Sequence, residues 1–160
     1  MNRLVLIALM WPAIAVAQSR TAKLQGAWKV VEVTVTGDGG YSDPNPQAGL
    51  ILFTRSHYSI MTISSRGPRP GFATAKDPAH LTDAEKLARY EQWNFFASNG
   101  GTYEVKGDTI ITHAMVAKNE SVMTGPPGVR LFRLEGNTLW YTQKRTTSSG
   151  ETRVKLVRVE

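Results

Sequence analysis

Three histidines, His57, His80 and His113, have the widest chemical range of any residues in this 160-residue chain. An imidazole can ligate a metal, move a proton, or sit neutral and hydrogen-bonded in a core. The three lie far apart, with no His-x-His or His-x-x-x-His spacing, and the chain has no cysteine. A metal centre gathers three or four such donors, so no metal site is expected. The serines in Ile63-Ser64-Ser65-Arg66-Gly67 and Ser148-Ser149-Gly150-Glu151 lack the Gly-x-Ser-x-Gly pattern that exposes a nucleophile. Neither Gly37-Asp38-Gly39-Gly40 nor Thr124-Gly125-Pro126-Pro127-Gly128 follows a phosphate-loop spacing. Glu32 alternates with Val30 on the Trp28 face; a carboxylate there, near Arg130, would serve as an ion-pair partner or a general base. His113 lies mid-way along the apolar run TIITHAMVA, sharing a face with Ile111 and Met115 and opposed by Ile110, Thr112 and Ala114. Both faces are mostly apolar, so packing, ligand contact and catalysis all remain open for it.

The elements that must position these groups are mainly strands. Period-two alternation of β-branched and aromatic residues marks eight of them, at 28–36, 49–54, 57–64, 102–105, 109–117, 129–134, 138–145 and 153–159. Most are joined by short turns such as Lys106-Gly107-Asp108 and Glu135-Gly136-Asn137. Residues 37–47 hold three Gly, two Pro and two Asp, which is loop punctuation. Residues 65–80 are too rich in Pro and Gly for regular structure. One helix follows, between the third and fourth strands. Thr82 and Glu85 form a capping box at its start, and Asn99-Gly100-Gly101 would stop it. Leu87, Tyr90, Trp93 and Ala97 recur at helical spacing, which predicts an apolar face packed against a sheet. Eight antiparallel strands in sequence order can close into an up-and-down barrel, whose lumen holds side chains or one small ligand.

The chain ends and composition bound the setting. Arg3, an apolar stretch from Leu4 to Val16 and the small-x-small sequence Ala15-Val16-Ala17 have the layout of a signal peptide over residues 1–17. Cleavage after Ala17 would leave a single domain, 18–160, with no membrane-spanning segment, in the periplasm or outside the cell. The formal net charge of +6 is spread along the chain, without the basic and aromatic interleaving that tracks nucleic acid. No nucleic-acid partner is expected; a basic surface suits solvent, an anionic envelope or an acidic ligand.

Several stretches together resemble the bacterial lipocalin-like domain family. They are Leu24-Gln25-Gly26-Ala27-Trp28, Arg69-Pro70-Gly71-Phe72, Gly101-Thr102-Tyr103-Glu104-Val105 with Gly107-Asp108 and His113, and Arg158-Val159. The resemblance implies an eight-stranded antiparallel barrel over residues 18–160 and a lumen that receives a ligand. Asn99-Gly100 and Leu156 depart from the family pattern, as does the 118–128 connection. On the last strand Val154, Leu156 and Arg158 share the inward face, and closure brings that strand beside the first. As in the lipocalins that the opening resembles, Arg158 is expected over the indole of Trp28, a structural plug for the closed end.

The lumen candidates for ligand contact are Tyr58, Tyr103, His113, Arg130, Phe132 and Tyr141. An apolar lining with a few convergent polar groups is what small-molecule sites look like. The partner expected is a small hydrophobic or amphipathic molecule, with no cofactor and no assigned catalytic residue. Isomerase or cyclase chemistry in the same pocket, and a filled barrel acting through its loops, are the alternatives. Strand direction places segment 65–101 at the open end as a partial lid, with Phe72 and the aromatic helix face over the entrance.

Overall fold

Side-chain alternation is carried by nine strands: β1 (Gly26–Val35), β2 (Tyr41–Asp43), β3 (Gly49–Phe53), β4 (His57–Ile63), β5 (Phe96–Lys106), β6 (Thr109–Ala117), β7 (Gly128–Glu135), β8 (Thr138–Lys144) and β9 (Glu151–Arg158). The protein is described by a computed structural model that covers residues 20–69, 71, 74–145 and 149–160. Each long strand pairs antiparallel with the next, and β1 pairs with β9, so eight strands close a barrel. Closure removes most of the free edges of the long strands, the usual liability of an antiparallel sheet. The expected signal peptide at 1–17 lies outside the described residues.

The ninth strand changes the strand count. Residues 41–43, read from sequence as loop, fold back on Val33, Thr34 and Val35 as a short hairpin. The helix α1 (Asp83–Asn94) therefore lies between β4 and β5, not between a third and a fourth strand. A second, five-residue helix, α2 (Glu120–Thr124), joins β6 to β7.

The barrel has two unlike ends. The plug end gathers the β3–β4, β5–β6 and β7–β8 turns with residues 20–24 and the C-terminus. A helical turn at 20–24 sets the fully buried Leu24 into it, and the Trp28 indole N–H donates to the Leu24 carbonyl at 2.7 Å. Around these pack Ile51, Phe53, Tyr103, Val105, Ile110, Leu139 and Leu156, each at most 9% exposed. The Arg158 guanidinium stacks 4.1 Å from the Trp28 ring and donates to the Lys23 and Gln25 carbonyls. One half of the lumen is thus filled by side chains.

At the open end the wall loosens in two places. β3 pairs only with Gly26–Lys29 of β1, while β2 pairs with Val33–Val35, so residues 41–47 separate the two long strands at the mouth. β6 and β7 pair only through Thr109–Thr112 and Gly128–Leu131, and α2 occupies the connection beyond.

The helix differs from expectation at its end and on its face. The capping box forms: the Glu85 N–H reaches Thr82 Oγ1, and Glu85 Oε2 accepts from the Thr82 N–H. The helix stops at Asn94, however, and Phe96–Gly101 runs on into β5. Gly101 marks close strand approach, since a Cβ there would lie 2.0 Å from the His113 carbonyl oxygen. Asn99-Gly100-Gly101 therefore sits inside a bulged strand pair and not at a helix terminus. Nor does the aromatic face pack on the sheet: Leu87, Tyr90 and Trp93 are 56%, 64% and 54% exposed. The helix C-terminus is tied down by the edge of Trp93 against Phe96 and by Lys118 Nζ, which donates to the Trp93 and Asn94 carbonyls.

Candidate ligand cavity

A bulge in β1 builds the site. The register with β9 slips between Val30 and Glu32, so the alternation that points Trp28 and Val30 inward restarts with Val33 facing Val154. Glu32 falls opposite Lys155, on the face away from the buried Val154 and Leu156. The inward Glu32 expected from strict alternation is thus corrected by one extra residue. The result is an apolar wall of Val30, Val33, Val35 and Val154 at the open end.

That wall bounds a cavity of about 230 Å³. Tyr141 closes one side, Thr62 and Thr152 add hydroxyls, and Tyr41, Asp43 and Gln47 come from the segment that separates β1 from β3. Ser64, Ser65 and Arg66 extend from the end of β4 to the rim, where Arg66 stacks 4.1 Å over the Tyr41 ring. The connection after β4 therefore does reach the mouth. Its expected cover, Phe72, lies outside the described residues, and the helix face that was to join it is solvent-exposed.

Beside the cavity a polar cluster forms within the barrel. The Tyr58 hydroxyl donates to Asn99 Oδ1 at 2.7 Å. Arg130 Nη1 donates to Thr112 Oγ1 at 3.0 Å, and the Thr112 hydroxyl donates to the Gly128 carbonyl at 3.3 Å. The Arg130 guanidinium carbon lies 5.7 Å from the centre of the Tyr141 ring, the residue that also lines the cavity. Burial pushes the Tyr58 phenol above its ordinary range, opposed by the Thr112 hydrogen bond and the Arg130 charge. Burial likewise raises Tyr141, again against Arg130, and raises Tyr103. All three therefore stay protonated donors at neutral pH.

The six expected ligand residues thus part company. Tyr58, Arg130 and Tyr141 converge. Tyr103 belongs to the filled half, its hydroxyl donating to the Thr54 carbonyl at 2.8 Å and its ring edge-on to Phe53. Phe132 packs against the buried core. His113 is outside the lumen: Ile110 and Thr112 take the inward face of β6, and the imidazole is 49% exposed with Nε2 3.6 Å from Glu104. Lys106 first, and His113 second, hold the Glu104 carboxyl below its usual range. His113→Ala should leave the melting temperature and any lumen binding unchanged, as calorimetry and titration would register; a clear loss of binding would return His113 to the site.

Asn99 and Thr112 were missed by sequence reasoning. Thr112 had a signal, as the one polar residue on the face shared with Ile110; Asn99 was hidden by its reading as a helix stop.

The raised tyrosines have a thermodynamic consequence. Well below pH 10 both folded and unfolded chains keep their phenolic protons, so these groups leave stability unaffected there. Above the ordinary value of 10.0 the unfolded chain releases them first, and the folded state loses stability until its own higher values are passed. The melting temperature should hold level near neutrality and fall beyond about pH 10, less steeply in Tyr141→Phe. An alkaline scan with equal slopes for the two proteins would contradict the burial of that phenol.

Comparison with known proteins yields one family match and several structural likenesses. A family model described as a lipocalin-like domain matches residues 25–158. Among solved structures, a lipocalin-like protein from Bacteroides uniformis is 13% identical, with a TM-score of 0.46 over 85% of this chain and 98% of that one. A redesigned β-barrel is 12% identical, with a TM-score of 0.44 over 88% and 95% of the two chains. A de novo designed fluorescence-activating β-barrel is 9% identical, with a TM-score of 0.40 over 86% and 95%. No curated protein compared with the chain matches it.

Proposed function

Since this chain belongs to the lipocalin-like domain family, we propose that it is an exported barrel that takes up one small, mostly apolar molecule at its open end. The observation that carries this reading is the division of the lumen. One half is packed solid around Trp28 and Leu156, while the other keeps a cavity of about 230 Å³ walled by valines and Tyr141. Close packing is the rule in protein interiors, so a cavity kept open beside a filled core supports the reading of a binding site. The polar groups at its rim, Asp43, Gln47, Thr62 and Thr152, are few enough to orient a ligand without making the wall hydrophilic. Catalysis has less support, because no histidine lies among the described lining residues to share a proton with Asp43. Export rests on the amino-terminal sequence, which has the charged, apolar and small-residue parts of a signal peptide.

One experiment addresses both parts. Native mass spectrometry of the protein recovered from periplasm or medium should show a chain beginning at Gln18, with a small non-covalent adduct released on activation. A chain that retains Met1 refutes export. A barrel that carries no adduct and gains no thermal stability with any of a panel of apolar small molecules refutes binding.

A further inference from the structure

The helix α1 presents the wrong face to water. Its half-buried residues, Glu85, Ala88, Arg89 and Gln92, recur as one helical face, so its polar and small side chains are turned toward the rest of the chain. Leu87, Tyr90 and Trp93 point the other way, and each is more than half exposed. An ordinary amphipathic helix does the reverse. The apolar surface continues beyond the helix. Lys118 Nζ donates to the Trp93 and Asn94 carbonyls, which sets the end of α1 beside the end of β6, where Met115 and Val116 are 68% and 67% exposed. α2, with no residue buried, follows and adds Val122 and Met123. Seven of the ten large hydrophobics exposed among the described residues thus stand around the mouth, a concentration that marks an interaction surface where single scattered ones would not.

Cations border this surface. The Arg69 guanidinium lies over the Phe96 ring at 5.9 Å, and that ring meets Trp93 edge-on at 5.5 Å. Lys118 holds the helix end, and Lys86 precedes Tyr90 by one turn on the same side. The ion pairs found among the described residues include neither Arg69 nor Lys118. We propose that this face docks the barrel, mouth first, on an anionic phospholipid bilayer. α1 lies in the plane of the surface, with Leu87, Tyr90 and Trp93 at the acyl boundary and Lys86, Arg69 and Lys118 among the phosphates. Tyr and Trp suit that depth, being apolar in the body and polar at the tip. No helix among the described residues is long and apolar enough to cross a bilayer, and this mode requires none. A second copy of the chain is the poorer occupant: a formal net charge of +6 repels its like and is drawn to an anionic surface. The docking stands on this face alone and holds whether or not the lumen takes up a ligand.

The test is flotation with vesicles of equal parts phosphatidylglycerol and phosphatidylcholine. It uses the chain from Gln18 onward, which keeps every described residue and drops the apolar stretch 4–16. This parent should float with the anionic vesicles, bind pure phosphatidylcholine several-fold less tightly, and be released as salt is raised. Leu87→Gln combined with Tyr90→Gln should weaken binding roughly tenfold or more, the scale of two apolar side chains left in water. Arg69→Gln should weaken binding to the anionic vesicles several-fold and leave binding to phosphatidylcholine unchanged. Trp93 emission should move to the blue on docking, and Trp93→Phe should lose that shift. A parent that does not float overturns the proposal, as does a double variant that binds like the parent. A blue shift that survives in Trp93→Phe belongs to another face and overturns it equally. Equal affinity for the two vesicle types overturns the anionic surface as occupant. A dimer in sedimentation velocity that the double variant abolishes gives the face to a second copy instead. Both replaced side chains are exposed, so the double variant should melt with the parent. A lower melting temperature would show the face to be packed against the protein and sink the docking with it.

Discussion

Trp28→Ala is expected to lower the unfolding free energy by about 3–5 kcal/mol, the range for removing a buried aromatic side chain. Trp28 is wholly buried and reaches both the filled core and the chain ends. Truncation would open a cavity among Leu24, Ile51 and Leu156, where side chains on eight hydrogen-bonded strands have little freedom to collapse. It would also leave the Leu24 carbonyl without its indole donor and Arg158 without the ring it stacks on. Arg158 would keep its bonds to the Lys23 and Gln25 carbonyls, so the terminal turn is loosened and not released. Urea unfolding followed by far-ultraviolet circular dichroism measures the effect, with Lys29→Ala, an exposed neighbour on the same strand, as reference. A Trp28→Ala midpoint no lower than that of Lys29→Ala would refute the buried plug.

The contrast between what the sequence foretold and what it hid follows from how each feature is encoded. Seven of the eight expected strands recur within about two residues, because period-two alternation is a direct record of one buried face. The plug was legible for the same reason: Arg158 shares a face with Val154 and Leu156, and closure of the barrel sets it beside Trp28. What alternation cannot show is a place where it slips. The bulge after Val30 turned Glu32 outward and Val33 inward, and no residue type announces it. The bulge at Gly100 and Gly101 was visible only as two glycines, which read equally well as the end of a helix. The helix face failed differently. Leu87, Tyr90 and Trp93 do lie at helical spacing, but spacing shows that residues share a side and is silent on whether anything covers it. The cavity was the least legible of all, since its outer wall comes from residues 41–47, part of the stretch 37–47 whose Gly and Pro content spoke only of a loop.

The second large effect is expected one turn of logic away from Trp28, at the glycine that precedes it by two positions. Gly26 has φ +128°, a conformation that side chains of L residues rarely adopt. It is crowded as well: a Cβ would stand 2.3 Å from the Glu160 carbonyl oxygen and 2.5 Å from Arg158 Nη1. That carbonyl cannot withdraw freely, for it accepts the Ala27 N–H at 2.9 Å while the Val159 N–H donates back to the Ala27 carbonyl at 2.8 Å. Gly26→Ala therefore combines backbone strain with a clash against a fixed acceptor, and should cost about 2–5 kcal/mol. The control separates the two causes. Gly39 also has positive φ, at +69°, but nothing lies within 4 Å of where its Cβ would be. Gly39→Ala should then cost only the backbone part, about 1–2 kcal/mol. The difference between the two midpoints measures the close approach of the C-terminus to the start of β1. If Gly26→Ala unfolds no more readily than Gly39→Ala, the chain end does not seal the barrel, and the glycine of the Gly-x-Trp opening serves its backbone angle alone.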